Sequence, residues 1–392
     1  MKKTILTITA IILIVTLSAG TALGAGVTDA GSPAEITELV SNNSRLADNI
    51  TRIFTDGTEL KAEITTTLPG DEMNFSVRRV ASKTGSVWIG RTYPTDAGTY
   101  KKYSYSFNPK SYGRGNSLAD GEYVLLISLK EGSKKSYLCY KNCCFRVSGG
   151  KVTILHYEKI AAQNKKVRNK ADKTAVSKYL DTTLSDLKYI AMKEPSKKKA
   201  GYFKKVAASV TKGASDDYEK VLKIYEYLGK NIYYDNLAFA KKKNQYTDPY
   251  RNLFNLRNNK SSANSVSTSG SRAKVATTCV GYGAMVVALA RAEGIPARVI
   301  NGHHLSLNLE RYNNWSTEED IKTVDHWWAE CYVDGRWIIV DTTPANGNKW
   351  KRTSFSGKGT WEYTGLTNYT FFDPTDEQFA QSHESFERAG KY

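Results

Sequence analysis

Cys279 opens a stretch that leads into an Ala-, Val- and Leu-rich run, Ala284 to Ala292, which Gly294 can stop and Pro296 cannot continue. The pattern predicts a buried helix with the thiol in its first turn, capped by the hydroxyl of Thr277 or Thr278. At a helix N-terminus, unpaired amide N–H groups and the positive end of the dipole stabilise a thiolate. A backbone N–H there can also hold an oxyanion. A cysteine on a buried helix is more often an inert packing residue. Its place in the first turn, after a long polar stretch, favours the reactive reading.

A thiolate needs a base, and the sequence offers five histidines. His326 begins Asp325-His326-Trp327-Trp328-Ala329-Glu330-Cys331-Tyr332-Val333, which reads as a strand. Asp334-Gly335 is a strong hairpin turn, and Arg336-Trp337-Ile338-Ile339-Val340-Asp341 is the returning strand. Closing the hairpin there pairs Val333 with Arg336, Tyr332 with Trp337 and, further out, Trp328 with Asp341. His326, Trp328, Tyr332, Trp337 and Asp341 then share one face. His326 and Asp341 become diagonal neighbours at roughly 7–8 Å between backbones, close enough for their side chains to meet. A carboxylate so placed holds one imidazole nitrogen and aims the other at a thiolate. A purely structural His–Asp bond in an aromatic hairpin is the alternative. Asp325 is the competing carboxylate but leaves the strand on the opposite face, and Glu330 lies further along, opposite Ile339. His303 and His304 point apart on extended chain and lack ligands at suitable spacing, so they are expected as loop residues near a cleft rather than a metal pair.

These residues need a scaffold, and a chain of 392 residues exceeds what one core usually serves. Hydrophobic residues make up 40% and charged residues 24%, which is the composition of a globular chain rather than a disordered one. Met1-Lys2-Lys3 followed by an uncharged apolar run, Ile5 to Ala19, reads as a signal peptide over residues 1–24 with cleavage after Gly24. Residues 25–58 are polar with weak apolar spacing and are expected as a linker or short helix. Residues 59–149 hold short β-rich runs, such as Phe75-Ser76-Val77-Arg78-Arg79-Val80, between turn residues, and predict a small β-sandwich of immunoglobulin-like type. Residues 150–199 carry helical spacing and are expected as a helical connector. Residues 200–392 form the expected second domain, where Asp216-Asp217 can cap a helix with Tyr218, Val221, Leu222, Tyr225 and Leu228 on its core face. Asn255 to Thr278 lacks periodicity and reads as a long loop, of a length that is usually functional or disordered.

The formal charge is +17, and losing Lys2 and Lys3 with the leader leaves +15. Such a charge favours acidic surfaces, and for an exported protein anionic cell-wall polymers or phospholipid headgroups fit better as partners than nucleic acid. An uncommitted solvated surface explains the charge equally well. The five cysteines do not make a disulfide framework. If Lys141-Asn142 is a hairpin turn, Cys139 faces Cys144 and a bridge could form between them.

Several ordered segments carry a resemblance. They are Thr278-Cys279-Val280-Gly281-Tyr282-Gly283-Ala284, the run Ala290 to Arg298, His326 with Trp328 two residues on, Trp337 to Thr343, and the helix ending in Asn231-Ile232-Tyr233-Tyr234-Asp235. Together, over roughly residues 200–345, they resemble the transglutaminase-like superfamily. The resemblance implies an α+β, papain-like core in which a nucleophile helix packs on an antiparallel sheet. It assigns nucleophile, base and orienting carboxylate to Cys279, His326 and Asp341, with no cofactor and no metal. The superfamily includes crosslinking transamidases, amidases, proteases and members without activity. The reading is therefore an exported thiol-dependent acyl transferase or amide hydrolase acting on protein or peptide amides. A surface-binding or scaffold protein that keeps the fold without turnover is the rival.

Overall fold

A computed structural model describes residues 37–40, 44–46, 49–68, 70–82, 86–131, 134–170, 176–187, 197–235, 247–260, 275–305, 315, 325–345, 349–352, 359–362 and 367–386. The leader lies outside these residues, as does most of the expected loop before Cys279. Among the described residues no helix is long and apolar enough to cross a membrane.

The N-terminal part is built from two five-stranded antiparallel sheets. One runs in the order Thr37–Val40, Ile50–Thr55, Leu60–Thr66, Tyr100–Phe107, Thr95–Ala97. The other runs Lys151–Ile154, Lys134–Ser148, Gly121–Glu131, Glu72–Arg79, Val87–Thr92. Both sheets feed one apolar core that includes Ile53, Ile64, Phe75, Ile127 and Phe145. Phe75 stacks on Tyr105 of the opposite sheet at 4.3 Å between ring centroids. The Tyr105 hydroxyl donates to the Ile89 carbonyl at 2.7 Å, which satisfies its one polar atom.

Two expectations for this region change. Thr37–Val40 and Ile50–Thr55, expected as linker or short helix, are strands of the first sheet. The inward positions of Ile50–Thr55 are Thr51, Ile53 and Thr55. Two of these three are threonines, so the alternation is real but carries little hydrophobic signal. Lys141-Asn142 is not a turn. It lies inside the 15-residue strand Lys134–Ser148, where the pairing steps from Leu125↔Cys143 to Leu126↔Lys141 and leaves Asn142 as a bulge. The hairpin turn on which a Cys139–Cys144 bridge depended is therefore not formed. The bulge also accounts for two adjacent buried cysteines. Cys143 enters the apolar core, while the Cys144 backbone N–H donates to Gln381 Oε1 of the C-terminal region at 2.9 Å.

The C-terminal part is a four-stranded antiparallel sheet in the order Arg336–Val340, His326–Val333, Ala297–His304, His383–Ser385. Helix Cys279–Ala292 packs on it, flanked by helices Lys197–Val210, Asp217–Asn231 and Pro249–Arg257. Asp216 caps the second of these by accepting from Glu219 N at 2.8 Å, and its buried stripe is Tyr218, Val221, Ile224, Tyr225 and Leu228. Pro249–Arg257 runs into the stretch expected as loop, opened by Asp248 as cap and proline in its first turn.

Residues 150–199 do more than connect. Leu184 and Leu187 enter the C-terminal core. Helix Glu158–Asn169 presents Asn164, buried, whose side chain donates to the His383 carbonyl at 2.9 Å and accepts from Ser385 N at 2.6 Å. One amide thereby replaces a neighbouring strand along His383–Ser385.

Candidate active site

Cys279 is the first residue of its helix, with Thr278 in extended conformation as the cap residue. Of the two threonines expected as caps, Thr278 holds the cap position but its hydroxyl makes no capping hydrogen bond. The chain behind it is fixed instead by the short parallel pairing of Ala276–Thr277 with Tyr233–Tyr234. Two glycines allow this close approach. A Cβ on Gly281 would lie 1.8 Å from Thr277 Oγ1, and one on Gly283 would meet the Trp328 backbone at 3.4 Å. The far end closes at Gly294, with φ +80°, through Ile295 N donating to the Ala290 carbonyl at 3.0 Å. Arg291, fully buried, ties that end down. It donates to the carbonyls of Ala297 and Asp181 and forms a two-pronged pair with Asp186 at 2.7 Å on each arm.

The hairpin closes as the sequence predicts, with Val333↔Arg336 and Tyr332↔Trp337. Asp334 and Gly335 both have positive φ, 52° and 76°, as a two-residue turn of the right hand requires. His326 and Asp341 therefore meet, with His326 Nε2 2.7 Å from Asp341 Oδ2 and both side chains buried. The other carboxylate oxygen of Asp341 accepts from Thr343 N at 2.9 Å, which fixes the plane of the group. Burial alone would push the His326 imidazole down. The Asp341 carboxylate, helped by the adjacent Cys279 thiol, outweighs it and raises the pKa to about 10. Burial likewise works against the Asp341 charge, yet His326 and then His383 hold this carboxyl well below the usual range. His326 Nδ1, the nitrogen that Asp341 does not take, is buried, and the ring also engages the Cys279 thiol.

Cys279, His326 and Asp341 are thus brought together. Asp325 turns away, 2.9 Å from His303 Nδ1, and accepts from His304 N at 3.0 Å. Glu330 pairs with Arg298, at 2.9 Å to its Nε. Of the three tryptophans near the motifs, Trp328 flanks His326 at 5.9 Å. Trp337 packs instead against Tyr332, Tyr179 and the Arg298 guanidinium.

His303 and His304 are strand residues rather than loop residues, on Ala297–His304. His304 is buried and its ring lies 4.9 Å from that of His326. His383 is the residue that the sequence reading missed. Its Nε2 lies 3.3 Å from the same Asp341 oxygen that His326 engages, and its Nδ1 lies 2.9 Å from Ser382 Oγ. Its ring stacks on Phe379 at 4.1 Å. Burial, reinforced by the charge on His326 and only partly opposed by Asp341, lowers its pKa to about 4, so His383 is the neutral partner in the cluster. The available signal was its rarity among five histidines, because Ser382-His383-Glu384-Ser385 has no hydrophobic pattern.

Residues 204–342 match the family described as the transglutaminase-like superfamily. No curated protein matches the sequence. Among solved structures, the chain is similar to a candidate cysteine protease from Cytophaga hutchinsonii, at 15% identity and a TM-score of 0.27, covering 74% of this chain and 78% of that one. It is similar to the transglutaminase of red sea bream at 10% identity and a TM-score of 0.25, covering 77% of this chain and 50% of that one. A candidate protease from Parabacteroides distasonis aligns at 12% identity and a TM-score of 0.25, over 84% and 71% of the two chains. Members of the superfamily are typically cysteine-dependent enzymes.

Proposed function

We propose that the protein is a thiol-dependent acyl transferase or amide hydrolase that acts on protein or peptide amides through Cys279, His326 and Asp341. The observation that supports this most directly is the buried 2.7 Å contact of His326 with Asp341 beside a cysteine in the first turn of a helix. The Cys279 thiolate attacks the amide carbonyl carbon, forming a C–S bond and a tetrahedral oxyanion that helix-terminal N–H groups can stabilise. His326 gives its proton to the departing nitrogen as the C–N bond breaks, leaving a thioester. Water or a second amine then attacks that thioester, loses a proton to His326, and releases the thiol as a carboxylic acid or a new amide forms. Asp341 touches no substrate. It keeps the imidazole oriented and stabilises its charged form.

Incubation with a glutamine-bearing protein and a fluorescent amine tests the reading. Ammonia release with label incorporation indicates transamidation, and ammonia release alone indicates hydrolysis. Cys279→Ala should abolish both. Full turnover by Cys279→Ala would sink the thiol mechanism. Absence of turnover, with Cys279 alkylated no faster than an ordinary thiol, would favour a binding protein instead.

A further inference from the structure

In the proposed cycle His326 is neutral while the thioester exists, and Asp341 then remains as a fully buried carboxylate beside an uncharged ring. A buried charge that has lost its counter-charge is costly unless other groups hold it. Two groups are in place. Thr343 N donates to Asp341 Oδ1 at 2.9 Å, and His383 Nε2 lies 3.3 Å from Oδ2, the oxygen that His326 engages at 2.7 Å.

His383 is arranged as a donor. An ionised carboxylate only accepts, so the one proton of the neutral ring belongs on Nε2, and Nδ1 accepts from the Ser382 hydroxyl at 2.9 Å. Phe379 stacks on the ring at 4.1 Å and Phe371 packs edge-on at 4.8 Å, apolar walls that disfavour a charged imidazole. The backbone is held on both sides. His304 pairs with His383 and Gly302 with Ser385 on one side, while Asn164 bonds the His383 carbonyl and Ser385 N on the other. A Cβ on Gly302 would lie 2.0 Å from the Glu384 carbonyl oxygen, so this glycine lets the His383 strand approach.

We propose that His383 is a positioning residue that donates to Asp341 and holds its charge while His326 is neutral, which makes His326 a readier proton donor. The assignment rests on the reading of His326 as the proton carrier. While His326 is charged, Asp341 has its counter-ion and gains little from a second N–H. Once His326 is neutral, the same N–H stabilises the carboxylate far more. His383 thus favours the deprotonated state of His326 and opposes the pull of Asp341, which raises that ring to about 10. The other titratable groups facing these rings and Asp341 are Cys279, Tyr234, Asp325 and His304, whose ring lies 4.2 Å from His383 and 4.9 Å from His326. All of them stay in place when His383 is replaced.

His383→Phe keeps an aromatic ring in the Phe379 stack and removes the N–H. In the full chain the alkaline limb of kcat/KM should then rise by up to about one pH unit. The kcat should fall about 3- to 10-fold at unchanged KM, because His383 reaches the reaction only through Asp341. His383→Gln, whose amide can place an N–H near the lost Nε2, should bring both back toward wild type. The proton between His326 and Asp341 gives a reading without turnover. Its low-field NMR resonance should move further downfield in His383→Phe, return in His383→Gln, and move part of the way in Ser382→Ala, which frees the ring from its fixed tautomer. A limb and resonance that stay put or move the other way in His383→Phe, or a His383→Gln that behaves like it, would overturn the proposal. Should His383→Phe not fold, an unmoved resonance in Ser382→Ala overturns it instead. A resonance that responds in a chain without thiol-dependent turnover would refute the proposed function and support the His383 contact.

Discussion

In the two sheets spanning residues 37–154 the inward side chains are mainly apolar, with Thr51, Thr55, Thr66 and Glu72 as buried polar residues among those described. Apart from Glu72, which pairs with Arg91 and Lys130, their ion pairs are partly exposed, such as Arg52 with Glu38 and Glu63. In the C-terminal part the interior holds Arg291, Arg298, Glu330, His326, Asp341 and His383 as well as apolar residues. Desolvating charges costs several kcal/mol each unless partners and hydrogen bonds compensate, so such groups are a poor way to stabilise a fold. The first region is arranged for cohesion and the second for geometry. Its buried ions lie where they hold the Cys279 helix, the hairpin and the His383 strand against one another.

The sharpest break in that comparison should come from Asp341. Asp→Asn at the equivalent position of a serine protease costs about 10⁴ in rate, and a loss on the order of 10³–10⁴ is expected for Asp341→Asn. Asp56→Asn, in a loop of the first sheet, should leave the rate unchanged. The pH profile adds a sign. His326 is held at about 10 by Asp341 against the effect of burial. With the carboxylate neutralised, burial prevails and the alkaline limb of kcat/KM should move down by several units. An unmoved limb would show that Asp341 does not set the charge on His326.

A smaller effect separates the two kinds of ion pair. Arg298 is 10% exposed and Glu330 1%, and Arg298 also donates to the carbonyls of Val167 and Arg168 and covers Trp337. Glu330→Gln leaves a buried guanidinium without its counter-charge and should cost about 3–5 kcal/mol in urea unfolding. Glu38→Gln removes an exposed partner of Arg52 and should cost under about 1 kcal/mol. Equal losses would erase the distinction between the regions.

How much of this was legible follows the same division. The Cys279 helix, the hairpin register and the meeting of His326 with Asp341 are local. Each depends on apolar periodicity, a two-residue turn and a glycine stop within some fifteen residues of chain, which sequence records directly. Ile50–Thr55 was obscured because threonine faces inward, and the Lys141–Asn142 bulge because a polar pair inside a strand looks like a turn. Asn164 and His383 were out of reach for another reason. They are separated by more than two hundred positions and joined by an amide that bonds backbone, which leaves no periodic trace.

His383 gives the finest test, because its effect on stability has a direction and a window. Its pKa is lowered to about 4 in the folded protein, by burial first, from an ordinary 6.5. Above pH 6.5 neither state takes the proton, and its contribution is complete. As pH falls from 6.5 to about 4 the unfolded chain binds a proton that the folded protein refuses, so stability declines by about 3 kcal/mol over that interval. His326 acts oppositely. Raised from 6.5 to about 10, it contributes fully below 6.5 and loses that contribution as pH climbs toward 10. The pair should therefore place a maximum near pH 6.5. The N-terminal sheets have no histidine, and the Asp56 carboxyl, held well below its usual range first by Lys61, yields its contribution only below about pH 4. The acid limb between 6.5 and 4 thus belongs to the C-terminal part. Urea unfolding of His383→Gln should show that limb flattened while the alkaline limb persists. A variant whose acid limb matches wild type would mean that the neutral histidine lies elsewhere.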